Sequence, residues 1–366
     1  MNTDHIPGLV ALPFEHLPET IPDTGVAFVT DSYLARLPMI EPVIAAMPEA
    51  EVIVIPVGEP TTETIDSVAI ELGHFDARTV VGFGGGSAID TAKLAALVAA
   101  TGTDVDWYLG VVRPVAPALD VLAVPTTSGS GAEVTRTCIV SRDGRKSWAW
   151  NDSLRPQSVI VDPQLTHGLP QSVTVATGLD ALVHALEAAT APDAETAAID
   201  SGAAALEVII EALPAAVADG NDGAARAEML DAALCAGFAI DLAGTGIGHG
   251  VGHALASTLT IPHGLAVAFG MWSCLEWGIQ GAPDRYGRVD GDGDLHRRVA
   301  ALLDTVGLHR RLRRWVNRPL DADAFADELA RGEHRPMCLN NARPVVGDDV
   351  DVVARIVADA WNSRFA

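Results

Sequence analysis

The chain predicts a parallel α/β domain followed by an all-helical one, and three observations carry that expectation. Five runs in the first half, residues 25–30, 51–57, 79–85, 121–127 and 158–163, are nearly all apolar and end in turn residues. Strands buried on both faces read this way, and the helical patterns between them fit the crossovers of a parallel sheet. From Pro170 onward the strand signals fade, and Ala- and Leu-rich segments with 3.6-residue periodicity take over, as in TAAIDSGAAALEVIIEAL (196–213). At 366 residues the chain exceeds the usual size of a single core. Two domains are therefore expected, 1–165 and 166–366.

Composition narrows the function. Lys and Arg total 24 against 48 Asp and Glu, a net charge of −24. Such a surface repels nucleic acid and anionic membranes and favours solubility. The basic stretch from His309 to Arg314 is the local exception, and its spacing fits a solvated helix face. Cys138, Cys235, Cys274 and Cys338 are scattered with no C-x-x-C pair, which suits reduced thiols and a cytoplasmic protein. The N-terminus lacks a basic start followed by a long apolar core, so no secretion signal is expected. With no uninterrupted apolar run of about eighteen residues, no transmembrane helix is expected either.

Within the first domain, TVVGFGGGSAIDTAKLAAL (79–97) reads strand, glycine turn, helix, a Rossmann-like arrangement. Gly84, Gly85 and Gly86 let the backbone approach a ligand, and a helix starting near Ser87 aims its N–H groups and positive dipole end at it. A phosphate or pyrophosphate is the natural occupant, although the run is neither G-x-x-x-x-G-K-[ST] nor G-x-G-x-x-G. Asp90 lies one turn further on and joins the cofactor-binding candidates. A second loop rich in hydroxyls and glycines, PTTSGSGAEVT (125–135), leaves the carboxyl end of another strand, where open α/β sheets bind ligands. Asp31 ends the first apolar strand. A carboxylate there accepts hydrogen bonds from ribose hydroxyls and repels a 2′-phosphate, which argues for NAD over NADP.

The second domain carries metal-site arithmetic. Asp180 and His184 in GLDALVHALE are four apart, so they share a helix face. About seventy residues later come His249, His253 and His263, the last beyond the helix-stopping Pro262. Carboxylate plus neutral imidazole suits Fe²⁺ or Zn²⁺ and lacks the thiolates of a closed structural zinc site. Spacing alone does not choose between His249 and His253. Glycines at 244, 246, 248, 250 and 252 alternate through the same segment. In a helix each costs about 1 kcal/mol relative to alanine, so the backbone there must pass close to another helix or to a cofactor.

GGGSAIDTAK (84–93), PTTSGSGAEVT (125–135), GLDALVHALE (178–187) and the His249/His253/His263 segment together resemble the iron-containing (group III) alcohol dehydrogenases. The resemblance spans nearly the whole chain, and LNNARPVVGDDV (339–350) looks like a diverged form of the family's Asn-Pro-Arg segment. It implies an N-terminal nucleotide domain and a C-terminal helical domain, NAD as cofactor and Fe²⁺ (or Zn²⁺) as metal. Asp180, His184, His249 and His263 match the family's ligands, and His253 matches a histidine near the nicotinamide that does not ligate. Asp31 matches the acidic residue at the adenosine ribose, and Gly85, Gly86 and Ser87 match the pyrophosphate turn. Thr126, Thr127 and Thr135 match the hydroxyl loop, and Lys146 matches a cofactor-side lysine. One departure is Glu59-Pro60, where the family often has Asn-Pro.

The resemblance implies hydride transfer between a nicotinamide and a small alcohol or aldehyde, with the metal as Lewis acid lowering the alcohol's pKa. His253 is the expected proton relay to solvent. The expected assembly is a homo-oligomer, a dimer. Arg136, Arg142 and Arg145 are candidates for an anionic aldehyde such as phosphonoacetaldehyde, and Trp107, Trp148 and Trp150 for pocket walls. Rival readings are a dehydroquinate-synthase-like cyclase, which the Asp180/His184 pair opposes, and a metallohydrolase on the same scaffold.

Overall fold

Six parallel strands form the first sheet: β1 (Leu9–Ala11), β2 (Val26–Asp31), β3 (Glu51–Ile55), β4 (Thr79–Gly84), β5 (Asp120–Pro125) and, after a hairpin of β6 (Thr137–Arg142) and β7 (Arg145–Trp150), β8 (Ser158–Val161). Their order across the sheet is β1-β8-β5-β4-β2-β3, with every pairing parallel. This computed structural model describes residues 1–291, 293–316 and 318–365.

The runs of β2 and β4 are continuous because successive side chains serve opposite cores, whereas the edge strand β3 buries Ile53 and Ile55 and leaves Val54 exposed. In β2, Ala27 and Val29 pack with Ile65, Val68, Leu72, Leu94 and Leu97 of the helices α2 and α3 described below. Val26 and Phe28 face the other way, into a cluster with Phe14, Leu17, Ile40 and Val43. Helix α1 (Ile40–Ala45) covers that second face, and α2 (Thr62–Phe75) and α3 (Gly86–Thr101) cover the first. The strand order reverses between β2 and β4: β2 runs on to β3 on one side, and the chain then returns to lay β4 on the other. The crevice at such a switch point is where doubly wound sheets bind ligands.

Five of the six sheet strands coincide with the apolar runs. The three-residue edge strand β1 and the β6–β7 hairpin were not expected. The hairpin had a signal: Asp143-Gly144, both with positive φ (51° and 73°), joins β6 to β7. That is the chemistry of a two-residue turn.

The chain packs as two compact units, Asn2–His167 and Gly168–Ala366. The second is helical: α4 (Gln171–Thr190), α5 (Thr196–Ala218), α6 (Gly223–Ala243), α7 (Ile247–Ala256), α8 (His263–Gly281), α9 (Pro283–Tyr286), α10 (Leu295–Val306), α11 (Leu308–Leu312), α12 (Ala322–Leu329), α13 (Arg335–Leu339) and α14 (Asp349–Phe365). Small residues set its spacing. A Cβ at Gly202 of α5 would stand 2.6 Å from the Ala185 carbonyl oxygen of α4, and one at Gly252 of α7 would stand 2.6 Å from Val267 of α8. By length and composition alone α5 could cross a membrane. It nonetheless buries Ala205, Leu206, Ile209 and Leu213, and it packs against α4 and α6 as a core helix does.

Candidate functional site

In the first unit, the loops at the carboxyl ends of β4 and β5 lie side by side. Gly84 pairs with Pro125, and the Thr126 N–H donates to the Gly84 carbonyl at 2.9 Å. Gly84 has φ +153°, a backbone few other residues adopt. A Cβ on Gly85 would meet Thr127 Oγ1 at 3.3 Å, and one on Gly86 would meet Ser130 Oγ at 2.7 Å. Helix α3 starts here, from Gly85, with no side-chain cap. Its first-turn N–H groups, those of Gly86 and Ser87 included, have no carbonyl within the helix and carry its positive dipole end. The turn therefore has the form of an anion cradle.

The remaining cofactor-side candidates are placed as follows. Asp31 ends β2, and its Oδ1 accepts the N–H groups of Tyr33 and Leu34. Thr126 and Thr135 are buried, and the Thr135 hydroxyl donates to the Thr137 carbonyl at 3.4 Å. Asp90 is turned to internal use. It is buried, accepts the Ile139 N–H at 2.9 Å and lies 3.4 Å from Lys93 Nζ. Lys93, fully buried, also donates to the Ala132 and Thr137 carbonyls, so this pair ties the hydroxyl loop to α3. Lys146 on β7 pairs with Glu59 at 3.2 Å, which joins it to the residue that departs from the family pattern. Arg136 and Arg142 pair with Asp152 and Asp106. Trp107 lies under Arg113 and Trp150 under Arg136.

In the second unit, Asp180 is the hub of a buried cluster. Its Oδ1 lies 3.7 Å from His184 Nε2, 3.7 Å from His249 Nε2 and 3.5 Å from His263 Nε2. These separations are too long for hydrogen bonds. They match ligands ~2.1 Å from a shared ion, which stand about 3.4 Å apart in a tetrahedron. Among the described residues, Asp180 Oδ1 and His249 Nε2 are buried with no hydrogen-bond partner. Two facing buried polar atoms left unpaired are costly unless something positive fills the gap. Facing atoms of Asp180, His184 and His249 all lie within 4.8 Å of one another. His263, the first residue of α8, closes the set and stays partly exposed.

The electrostatics agree. Burial alone would raise the Asp180 carboxyl, yet the imidazoles of His184, His263 and His249 hold it well below the usual carboxylate range. Burial likewise opposes charge on His249, but Glu187 and Asp180 push it up to about 9. A carboxylate held ionised among facing imidazole nitrogens is a donor set that fits a divalent metal ion. His253 stands beside the set, its ring centroid 5.2 Å from that of His263 and 6.1 Å from that of His249.

Two neighbours, Glu187 and His334, were not singled out from sequence, and the LNNARP segment supplies two more, Asn340 and Asn341. Glu187, one turn beyond His184, is buried and bonded to the start of α7 and to His249 Nδ1. His334, which stands in no spacing pattern with the other histidines, is buried with its ring centroid 6.5 Å from that of His253. Asn340 donates to the carbonyls of Ala243 and Thr245, and Asn341 accepts the Ile247 N–H, so the LNNARP segment fastens the loop into α7.

One carboxylate with three imidazoles suits Fe²⁺ or Zn²⁺ and lacks the thiolates of a closed structural zinc site. The chain matches the family described as iron-containing alcohol dehydrogenase over residues 13–163, and the Fe-containing alcohol dehydrogenase family C-terminal region over 174–355. It is 34% identical over 267 residues to the probable alcohol dehydrogenase EutG of Escherichia coli, covering 70% of this chain and 68% of that one. Against the NAD-dependent methanol dehydrogenase of Bacillus methanolicus it is 32% identical over 268 residues, 71% of this chain and 70% of that one. The fold is shared with sulfoacetaldehyde reductase from Bifidobacterium kashiwanohense, solved with NAD⁺, at TM-score 0.83 and 23% identity over 96% of each chain. The chain belongs to the iron-containing alcohol dehydrogenase family, and it is an oxidoreductase of that class.

Proposed function

We propose that the protein is an NAD(H)-dependent, metal-dependent reductase of small aldehydes, working also in the alcohol-oxidising direction. The observation that carries this is the Asp180 hub with three imidazole Nε2 atoms 3.5–3.7 Å from one oxygen. Asp180, His184, His249 and His263 would hold Fe²⁺ or Zn²⁺, which supplies Lewis acidity to the alcohol or carbonyl oxygen when bound. NAD is supported by the uncapped start of α3 at Gly85–Ser87, facing the Thr127 and Ser130 side chains. It is supported too by the NAD dependence of the Bacillus methanolicus methanol dehydrogenase, to which the chain is similar. In this reading residues 1–165 bind the nucleotide and 166–366 the metal. His253 passes the proton to solvent, a role supported by its partial exposure and its ring beside His263. The expected assembly is a homodimer. A small anionic aldehyde is included as a substrate class, supported by the 35% identity over 213 residues to the sulfoacetaldehyde reductase of Bilophila wadsworthia.

The deciding experiment follows NADH absorbance on metal-reconstituted protein with a panel of short aldehydes, including sulfonate- and phosphonate-bearing ones. Aldehyde-dependent NADH loss is the expected result. Turnover of a hydrolase or cyclase substrate with the nicotinamide unchanged would sink the proposal. A companion test concerns Asp31: replacing it by serine removes a charge that repels a 2′-phosphate. The NADH-over-NADPH preference in kcat/KM should then fall roughly tenfold or more. An unchanged preference would remove Asp31 from the ribose site.

A further inference from the structure

We infer that Glu187 is the positioning residue of the metal centre, fixing which nitrogen of His249 faces Asp180. This rests on the metal reading above. Four contacts converge on its carboxylate. Oε1 accepts the Gly248 N–H at 2.6 Å and the His249 N–H at 3.3 Å, while Oε2 accepts the Gly246 N–H at 2.7 Å and meets His249 Nδ1 at 2.7 Å. A carboxylate oxygen that already takes an amide proton offers the ring nothing but a lone pair, so Nδ1 must be the donor. The His249 lone pair then resides on Nε2, the atom that faces Asp180 Oδ1. Imidazole ligands of metals are commonly held in this way by a carboxylate behind them.

The same contact accounts for part of the glycine run. Backbone N–H groups at the start of α7 can descend onto Glu187 because residues 246 and 248 lack a Cβ. At Gly248 a Cβ would stand 2.8 Å from Glu187 Oε1, and at Gly246 it would stand 3.3 Å away. Glutamate is also the right type. With donors on both oxygens, no orientation of a glutamine amide satisfies the set, since its NH₂ group would face at least one N–H.

Glu187 thus has two effects, capping α7 and orienting His249, and the test separates them. Zn²⁺ affinity is measured by chelator competition on full-length protein for the wild type, Glu187→Gln, Asn341→Ala and Asp180→Ala. Asn341→Ala removes the acceptor of the Ile247 N–H and leaves the ring contact in place. The expected result is a 10–100-fold weaker Zn²⁺ affinity for Glu187→Gln, with Asn341→Ala within about threefold of wild type. Equal losses in these two variants, or no loss in Glu187→Gln beside a large one in Asp180→Ala, would overturn the positioning role. Retained affinity in Asp180→Ala would instead overturn the metal reading beneath it. Should Glu187→Gln fail to fold, nitrogen NMR of the zinc-loaded wild type decides. A proton on His249 Nδ1 with zinc on Nε2 supports the assignment; zinc on Nδ1 refutes it.

Discussion

Replacing Asp180 by alanine is expected to strip the protein of its metal and lower kcat/KM by on the order of 10³-fold or more. The size follows from losing the several kcal/mol of charge stabilisation that a Lewis acid supplies, at about 1.4 kcal/mol per tenfold. The effect should exceed that of removing any single histidine, because the carboxylate is the one anion at the centre of the set. Each of the His184, His249 and His263 Nε2 atoms lies within 3.7 Å of its Oδ1. Metal analysis after dialysis, alongside the NADH assay, provides the check. A variant that keeps a full equivalent of metal and its rate would show that Asp180 is not a ligand.

The same substitution has an opposite consequence for any reading of the cluster as plain packing. A structural Asp–His group loses stability when its carboxylate is removed, but it loses no metal and no electrophile. The orphaned pair of Asp180 Oδ1 and His249 Nε2 favours the cation reading. Buried polar atoms 3.7 Å apart are too far to bond each other and too close to admit much else.

Particular residues show what the chain announces and what it hides. The strands β2 and β4 were legible because both of their faces are buried, which forces continuous apolar runs between turn residues. Asp180 and His184 were legible because a helix puts i and i+4 on one face. Glu187 was not, although it stands in the same helix. Its partners are the amides of residues 246, 248 and 249, about sixty positions away, and no local period encodes such a contact. His334 was missed for the same reason, since folding alone brings it beside His253. The hairpin of β6 and β7 is a different failure. Its Asp143-Gly144 turn is a local signal, but the flanking residues mix charge with tryptophan and so look unlike the buried strands. In the glycine run a close approach accounts for Gly248 and Gly252 but not for Gly250, whose Cβ would meet nothing nearer than 3.6 Å, and the sequence left the approaching partner open. Val267, Met271 and Glu187 are the answer for Gly252 and Gly248.

Gly264→Ala should be the most damaging single-methyl change near the site, destabilising the protein by about 3 kcal/mol or more. For a unit of this size that lowers the melting temperature by roughly 6–12 °C. A Cβ on Gly264 would land on the Ala176 carbonyl oxygen of α4. Because that atom is backbone, no rotamer change relieves the overlap, and α4 and α8 must move apart. The direction of that movement matters for function. Ala176 lies one turn before Asp180 on α4, and Gly264 follows His263 at the start of α8. Separation at this contact therefore lengthens the 3.5 Å gap between His263 Nε2 and Asp180 Oδ1. Displacement of about 1 Å costs on the order of 10² in rate when groups must be prepositioned. Gly250→Ala is the matched comparison on the neighbouring helix. Its nearest contacts would be 3.6 Å away, so the gain in helix propensity leaves stability unchanged or slightly higher. Excess Zn²⁺ should recover part of the lost melting temperature in Gly264→Ala by mass action, since the distorted site still favours the folded state when loaded. Equal melting temperatures and zinc affinities for the two variants would mean that the α4–α8 contact does not hold His263 against Asp180.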